Sequence, residues 1–190
     1  MTAMRTREPA RLTELTAEQL RARLDEALRI YVTAMRYPPG TARHRSPMWQ
    51  EHMLRAGWVC MAAFEADVLV GIAYGYRGAP GQWWHDEVHR GLMLIDPVAA
   101  QRNLADYFEL TELHVHPSAQ GRGIGEALLT ELLSRVDAPR ALLSTPEGPT
   151  RAWRLYRRIG FTDLLRNYHF TGDSRAFAVL GRTLPLSSVD

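Results

Sequence analysis

Residues 120–125, with the sequence QGRGIG, decide the fold of this chain. They follow an apolar run that ends at Val115 and precede a run with helical spacing that begins at Glu126. Glycines allow another group to approach the backbone closely, and a helix N-terminus offers free N–H groups and a dipole that favours anions. We therefore predict a pyrophosphate site here, formed by Gln120, Gly121, Arg122, Gly123, Ile124, Gly125 and Glu126, with Arg122 as a fixed cation.

Two common phosphate-binding fingerprints do not match this loop. Glu126 stands where the dinucleotide pattern G-x-G-x-x-G requires its third glycine. The Walker pattern fails as well, since no Lys-Ser or Lys-Thr pair follows. What remains is Gln-x-x-Gly-x-Gly after a strand, and the run LTELHVHPSAQGRGIGEALLTELL resembles the acetyl-coenzyme A-binding motif of the GNAT (GCN5-related N-acetyltransferase) superfamily.

A second signature lies at the usual distance downstream. Residues 151–161, RAWRLYRRIGF, resemble the GNAT helix that ends in Tyr-x-x-x-Gly-Phe. The two motifs together cover roughly the C-terminal half of the chain. The resemblance implies an α+β fold with three layers, α/β/α, around a mixed, mainly antiparallel central sheet of six to seven strands. It also implies that this sheet splays between the central strand and the strand at Ala141, so that coenzyme A enters a V-shaped gap.

The order of apolar patterns and turn signals is consistent with a single domain over residues 1–190. We expect a loose N-terminus at 1–10 and an irregular, functional loop at 78–103, because that segment is rich in both glycine and aromatic residues. The predicted strands are 11–15, 58–64, 68–76, 107–115, 140–144, 161–165 and 176–180. The predicted helices are about 17–37, 46–55, 126–136 and 150–159.

Composition narrows the class of protein. The chain has 190 residues, 46% of them hydrophobic, and a formal net charge of +2, which argues against a nucleic-acid binder with a concentrated basic face. Cys60 is the only cysteine, so an intrachain disulfide is excluded and a cytoplasmic location is expected. Neither a signal peptide nor a membrane span is predicted.

Acetyl transfer to an amine needs a neutral nucleophile, a held thioester and a proton for the departing thiolate. The resemblance assigns the proton donor to Tyr156 and assigns backbone groups of Leu113, His114 and Val115 to the pantetheine arm. Many relatives carry an asparagine seven residues before the tyrosine, where this chain has Pro149 followed by Thr150. Proline has no amide side chain, so the hydrogen bond that this asparagine gives the cofactor is not expected here.

Glu109 and Glu112 are the candidate bases on the central strand. Glu109 matches the position at which several GNAT enzymes place a base, whereas Glu112 is closer to the thioester in sequence. In a regular strand the two would face opposite sides, and only one could reach the acceptor. Glu112, His114 and His116 also alternate as metal ligands could, but no matching ligand set follows, and no metal is predicted.

We therefore interpret the chain as an acetyl-CoA-dependent N-acetyltransferase in which the amine attacks directly within a ternary complex. The acceptor is a primary amine of a small molecule or a protein; its identity is not encoded in a motif. Trp83, Trp84 and His85 are predicted either to line the acceptor pocket or close over it, or to form a homodimer contact or a covering flap on the core. The alternatives are a non-catalytic coenzyme A-binding sensor and a relative that uses another acyl group or acceptor.

Overall fold

The computed structural model describes residues 9–186. The strands are β1 Arg11–Glu14, β2 Val59–Glu65, β3 Val68–Arg77, β4 Phe108–Val115, β5 Arg140–Pro146, β6 Thr162–Tyr168 and β7 Phe177–Thr183. The α-helices are α1 Ala17–Ala22, α2 Leu24–Met35, α3 Thr41–His52, α4 Trp83–Met93, α5 Pro97–Leu104, α6 Ile124–Leu133 and α7 Arg151–Arg158. The predicted loose start at 1–10 lies almost wholly outside the described residues.

All seven strands form one open sheet in the order β1-β2-β3-β4-β5-β7-β6. Every neighbouring pair is antiparallel except β4 and β5, which run parallel. That parallel pair is short: Phe108 lies opposite Ala141 and Glu109 opposite Leu142, and the pairing ends there. The predicted mixed, mainly antiparallel sheet and its splay at the central strand are confirmed.

Helices cover both faces of the sheet. On one face α6 and α7 pack on a core that includes Leu128, Leu132 and Leu143. On the other face α1–α3 cover β2–β4, and α4 and α5 cover β5–β7. We call this second side the acceptor face, because it lies opposite the helix that follows the glycine loop. The three-layer arrangement is therefore confirmed.

The prediction of an irregular loop at 78–103 is wrong, because the segment folds into α4 and α5. Trp84, Val88 and Leu92 recur every fourth residue and bury one face of α4. Asp96 caps α5 by accepting a hydrogen bond from the backbone N–H of Ala99 at 3.0 Å. The glycines and prolines that suggested a loop stand at the ends of these helices, where they are tolerated.

Two helix boundaries in the N-terminal half also differ from the prediction. The expected helix over 17–37 is divided at Arg23, whose φ of −116° and ψ of 17° lie outside the helical region. The next helix begins at Thr41 rather than at Ser46, because the turn at 38–42 already forms hydrogen bonds of the helical kind. Within the described residues, no helix combines the length and apolar character needed to span a bilayer.

Candidate functional site

A cavity of about 750 Å³ opens where β4 and β5 separate. It is bounded by the second half of β4, the loop before α6, the end of β5, α7 and the C-terminal end of α2. The predicted site residues that line it are Leu113, His114, Val115, Gln120, Gly121, Gly123, Ile124, Gly125, Glu126 and Tyr156. Residues that the two sequence motifs place far apart thus meet in one concave site.

The second half of β4 has one edge open towards this cavity. Leu113 and His114 pair with β3 on the other edge, and no strand of the described chain pairs with them on the β5 side. The carbonyl oxygen of Val115 accepts a hydrogen bond from Gln120 Nε2 at 2.9 Å, which ties the glycine loop to the strand. An extended ligand can therefore pair with the open edge as an additional strand.

The loop before α6 leaves room for an anion at the helix N-terminus. Gly123 has a φ of +78° and occupies the N-cap position, and no side chain caps the helix. A Cβ atom placed on Gly123 would meet no described atom within 4 Å. The first N–H groups of α6 therefore face open space at the positive end of the helix dipole.

The cations around this loop differ from the one predicted. Arg122 forms an ion pair with Glu65 of β2 and does not line the cavity. The arginines that do line it are Arg36, Arg151, Arg154 and Arg158. Sequence reasoning missed this set, although three of its members lie within α7 at the spacing of one helical face.

Tyr156 of α7 is 7% exposed and borders the cavity. Its ring packs edge-on against Phe161, with 5.8 Å between the ring centroids. Burial, and secondly the charge of Glu112, raise the pKa of Tyr156, so its hydroxyl keeps its proton. Thr150, which follows the Pro149 departure, caps α7 and also lines the cavity.

A β-bulge changes the expected relation of the two β4 carboxylates. Tyr74 of β3 lies opposite Glu112, but the next residue, Gly75, lies opposite Leu110, so Thr111 is the extra residue. The bulge shifts the alternation by one position and brings Glu109 and Glu112 to the same face of the sheet, the acceptor face. The expectation from a regular strand, that they face opposite sides, is wrong.

Glu109 belongs to the part of β4 that is paired on both edges, and this residue is 3% exposed. Its Oε1 accepts a hydrogen bond from the Tyr76 hydroxyl at 3.4 Å, while Oε2 is buried without a described partner. Burial raises the pKa of Glu109 to about 8, although the Arg55 guanidinium acts in the opposite direction. Glu109 does not line the cavity.

Glu112 lies at the start of the open half of β4. Its Oε2 is 2.5 Å from Nε2 of His114. His114 in turn packs edge-on against Tyr31 of α2, with 5.0 Å between the ring centroids. The negative charge of Glu112 contributes to the raised pKa values of both Tyr31 on α2 and Tyr156 on α7.

The aromatic residues at the start of α4 do not line the cavity. Trp84 donates from Nε1 to Ser144 Oγ at 3.0 Å, and Nδ1 of His85 lies 3.0 Å from the Tyr107 hydroxyl. Trp83 is 57% exposed. Trp84 and His85 are buried, so of the predicted roles the covering flap on the core fits these two residues.

No cluster of three or more histidine, cysteine, aspartate or glutamate side chains that could hold a metal ion occurs within residues 9–186. Of the alternating side chains considered as ligands, Nδ1 of His116 lies 2.8 Å from Ser118 Oγ, and His114 faces Glu112.

Comparisons with known proteins agree with this geometry. The family model "Acetyltransferase (GNAT) domain" matches residues 58–163. A GCN5-like protein acetyltransferase of Mycobacterium tuberculosis is 50% identical over 202 aligned residues, which cover 92% of this chain and 98% of that protein. A GNAT-family protein from Desulfovibrio desulfuricans has a similar structure, with a TM-score of 0.65, 18% identity and coverage of 92% and 98% of the two chains.

A second similar structure contains coenzyme A. The PaiA N-acetyltransferase of Thermoplasma acidophilum, solved in complex with coenzyme A, gives a TM-score of 0.62 at 13% identity, with 93% of this chain and 100% of that chain covered. At this level of identity the two solved structures establish similarity of fold alone. The match of the family model to more than half of the chain and the 50% identical relative establish the family: this chain belongs to the GNAT acetyltransferases.

Proposed function

We propose that this protein transfers the acetyl group of acetyl-CoA to a primary amine by direct attack within a ternary complex. The observation that carries the proposal is the gap between β4 and β5. An open strand edge, an uncapped glycine-rich helix N-terminus and a buried tyrosine all border the same cavity there. Each of these features suits a different part of acetyl-CoA.

The cavity fits the cofactor from one end to the other. Backbone groups of Gly121 and Gly123 and the first turn of α6 would receive the pyrophosphate. The guanidinium groups of Arg151 and Arg154 can add charge-assisted hydrogen bonds to phosphate oxygens. The open edge of β4 would pair with the amide groups of the pantetheine arm, and the cofactor of the PaiA structure supports this choice of ligand.

Tyr156 is proposed as the acid for the departing thiolate. The C–S bond breaks as the tetrahedral intermediate collapses, and the sulfur takes the proton of the tyrosine hydroxyl. A general acid must hold its proton until that moment, and the raised pKa of Tyr156 ensures that it does.

The proton of the acceptor is proposed to leave along the acceptor face of β4, where Glu109 and Glu112 both lie. The location of Glu112 favours it as the base, because its charge reaches Tyr156 at the cavity. The pKa of Glu109 favours that residue as the base instead, because its value of about 8 is close to the pH at which a base is most useful. Glutamine variants at the two positions separate these roles.

We further propose that the acceptor amine belongs to a protein, because the 50% identical relative is named a protein acetyltransferase. The composition of this chain makes the proposal simple to test. All 23 basic residues other than histidine are arginine, so the chain offers no lysine side chain to its own activity. Any acetyl-lysine that forms in a reaction must therefore lie on the acceptor.

The test has two stages. Thermal melts with acetyl-CoA, CoA, NAD and ATP should show a rise in Tm with the first two ligands only, since a ligand that binds the folded state stabilises it. Release of CoA is then measured with lysine peptides, whole proteins and small amines. Stabilisation by acetyl-CoA without transfer to any amine would favour the sensor alternative, and transfer only to small amines would reject the protein acceptor.

A further inference from the structure

We propose that His114 is the catalytic base that takes the proton from the acceptor amine, and that Glu112 positions it. This inference rests on the proposed acetyl transfer. The first observation is access. β4 carries three ionisable side chains on its acceptor face, Glu109, Glu112 and His114, and only His114 lines the cavity.

The second observation is the contact between His114 and Glu112. The carboxylate oxygen can only accept, so the 2.5 Å contact assigns the proton to Nε2 of the imidazole. Nδ1 then carries the lone pair, and no described residue forms a hydrogen bond with it. An acceptor nitrogen that enters the cavity would find a free basic site whose tautomer is already set.

The third observation is the wall behind the imidazole. Tyr31 packs edge-on against His114, and the Tyr31 ring is itself held by Tyr37 and Trp49, with centroid distances of 5.5 and 5.8 Å. The ring of His114 is therefore fixed on one side by a hydrogen bond and on another by an aromatic cluster. A base that is held in one orientation loses little entropy when it meets its substrate.

The charged and titratable groups around His114 come from β4, α2 and α7. Glu112 lies beside it on β4, Tyr31 of α2 packs against it, and Tyr156 of α7 is within reach of the charge of Glu112. Burial raises the pKa values of both phenols, so they stay protonated. The cations on this side of the cavity are Arg36, which lines it, and Arg45 and Arg175, whose charges reach Tyr31.

The proton balance closes with these residues. Nδ1 of His114 takes one proton from the ammonium, and the freed lone pair attacks the thioester carbonyl. The N–C bond forms, the C–S bond breaks, and the thiolate takes the proton of Tyr156. The second proton shed by the new amide nitrogen restores the tyrosine hydroxyl, and the imidazolium releases its proton to solvent. The net products are the N-acetyl amine, free CoA and one proton.

The sequence contained a signal for this pair. The alternation of Glu112 and His114 along β4 is also compatible with a metal site, and the GNAT resemblance implies only a backbone role for His114. The side-chain role could not be read from the alternation alone. It depends on the bulge at Thr111 and on the contact with Tyr31, neither of which is a local feature.

The experiment measures kcat/KM between about pH 6 and 9.5 for His114→Gln, Glu112→Gln and the wild type. His114→Gln keeps a donor for Glu112 but has no basic lone pair, so kcat at neutral pH should fall by about a hundredfold or more. The loss should shrink as pH rises towards the pKa of the amine, and the affinity for acetyl-CoA should change less than about threefold, because side-chain basicity plays no part in binding it. Glu112→Gln should give a smaller loss with the same pH trend.

Two controls keep the result interpretable. His89→Gln makes the same change at an exposed position on α4 outside the cavity and should match the wild type. Imidazole in the buffer should restore part of the activity of His114→Ala. Wild-type transfer with a His114→Gln rate within threefold at every pH, or a loss of equal size at every pH, would overturn the base role. An inactive wild type that still binds acetyl-CoA would instead overturn the proposed function.

Discussion

The two halves of β4 differ in the strands that pair with them rather than in the presence of an acidic residue. The first half, Phe108 and Glu109, is paired on both edges and buries a carboxyl whose Oε2 has no partner within the described chain. The second half, residues 112–115, is paired on one edge only, and residues 113–115 line the cavity. A carboxylate occurs in each half, and both face the same side of the sheet.

This contrast shows how an ordinary strand becomes a binding site. Separation of β4 from β5 frees a row of backbone groups, and the bulge at Thr111 places Glu112 and His114 on the acceptor face while Leu113 and Val115 pack on the opposite core. The cost of burying Glu109 is visible as a pKa of about 8. Glu112 avoids the same isolation through its contact with His114.

The largest expected effect belongs to the cavity beside the open half of β4. Tyr156→Phe removes one hydroxyl at the cavity and almost no packing. We expect kcat to fall by about a hundredfold or more, the usual contribution of a general acid, while the Kd for acetyl-CoA is retained. Steady-state kinetics and a binding titration check both parts.

Tyr107→Phe is the matched control. Tyr107 immediately precedes the closed half of β4, is fully buried and has its hydroxyl 3.0 Å from Nδ1 of His85. Its loss should lower the Tm by removing a buried hydrogen bond and should leave kcat nearly unchanged. If the two variants lost activity equally, Tyr156 would be a packing residue and the contrast between the halves would fail.

A tenfold effect is expected at the glycine loop. A methyl group on Gly123 would project into the open space in which we propose that the pyrophosphate binds. We expect Gly123→Ala to weaken acetyl-CoA binding by about tenfold, or about 1.4 kcal/mol, and Gly123→Val to weaken it further. Isothermal titration measures the change in Kd.

The positive φ of Gly123 requires its own control, since any side chain at +78° is strained. Gly81 has a φ of +86°, has no described atom within 4 Å of a Cβ and lies outside the cavity. Gly81→Ala should therefore show the loss of stability without the loss of affinity. Equal Kd values for Gly123→Ala and the wild type would remove the pyrophosphate from this loop.

Much of the cavity beside the open half could be predicted from the sequence, because the signals for its walls are local. The glycines at 121, 123 and 125 and the run from Thr150 to Phe161 each encode a helix terminus within a few residues. The strands were predicted from alternation, and their positions agree within a few residues. In a motif of this kind, a few adjacent residues are enough to predict the local structure.

The features that the sequence did not disclose depend on distant partners. Arg122 was assigned to the phosphates, but Glu65 lies within reach only after β2 and the loop are brought together. The bulge at Thr111 is set by the pairing with β3, not by Thr111 itself. Residues 78–103 were predicted to be a loop because their prolines and glycines outweighed the four-residue spacing of Trp84, Val88 and Leu92.

The smallest expected change in rate belongs to the closed half, and its main effect is on stability. Burial raises the pKa of Glu109 from an ordinary value of 4.5 to about 8 in the folded protein. Between these two pH values the unfolded chain loses its proton and the folded chain keeps it, so the wild type loses stability as pH rises through this window. Glu109→Gln has no proton to lose and escapes this loss. Relative to the wild type, its Tm should therefore rise between about pH 5 and pH 8 and change little above that.

Melting curves of the wild type and Glu109→Gln, recorded from about pH 5 to above pH 8, test this prediction. Each kcal/mol is worth about 2–4 °C in a domain of this size, and a shift of one pKa unit is worth about 1.4 kcal/mol, so a gain of several degrees is expected. A constant difference in Tm would mean that Glu109 ionises normally in the folded state. The rate provides the second half of the test: if His114 is the base, kcat/KM of Glu109→Gln should stay within about threefold of the wild type. A pH-dependent loss larger than that of His114→Gln would return the base to Glu109 and place catalysis in the closed half of β4.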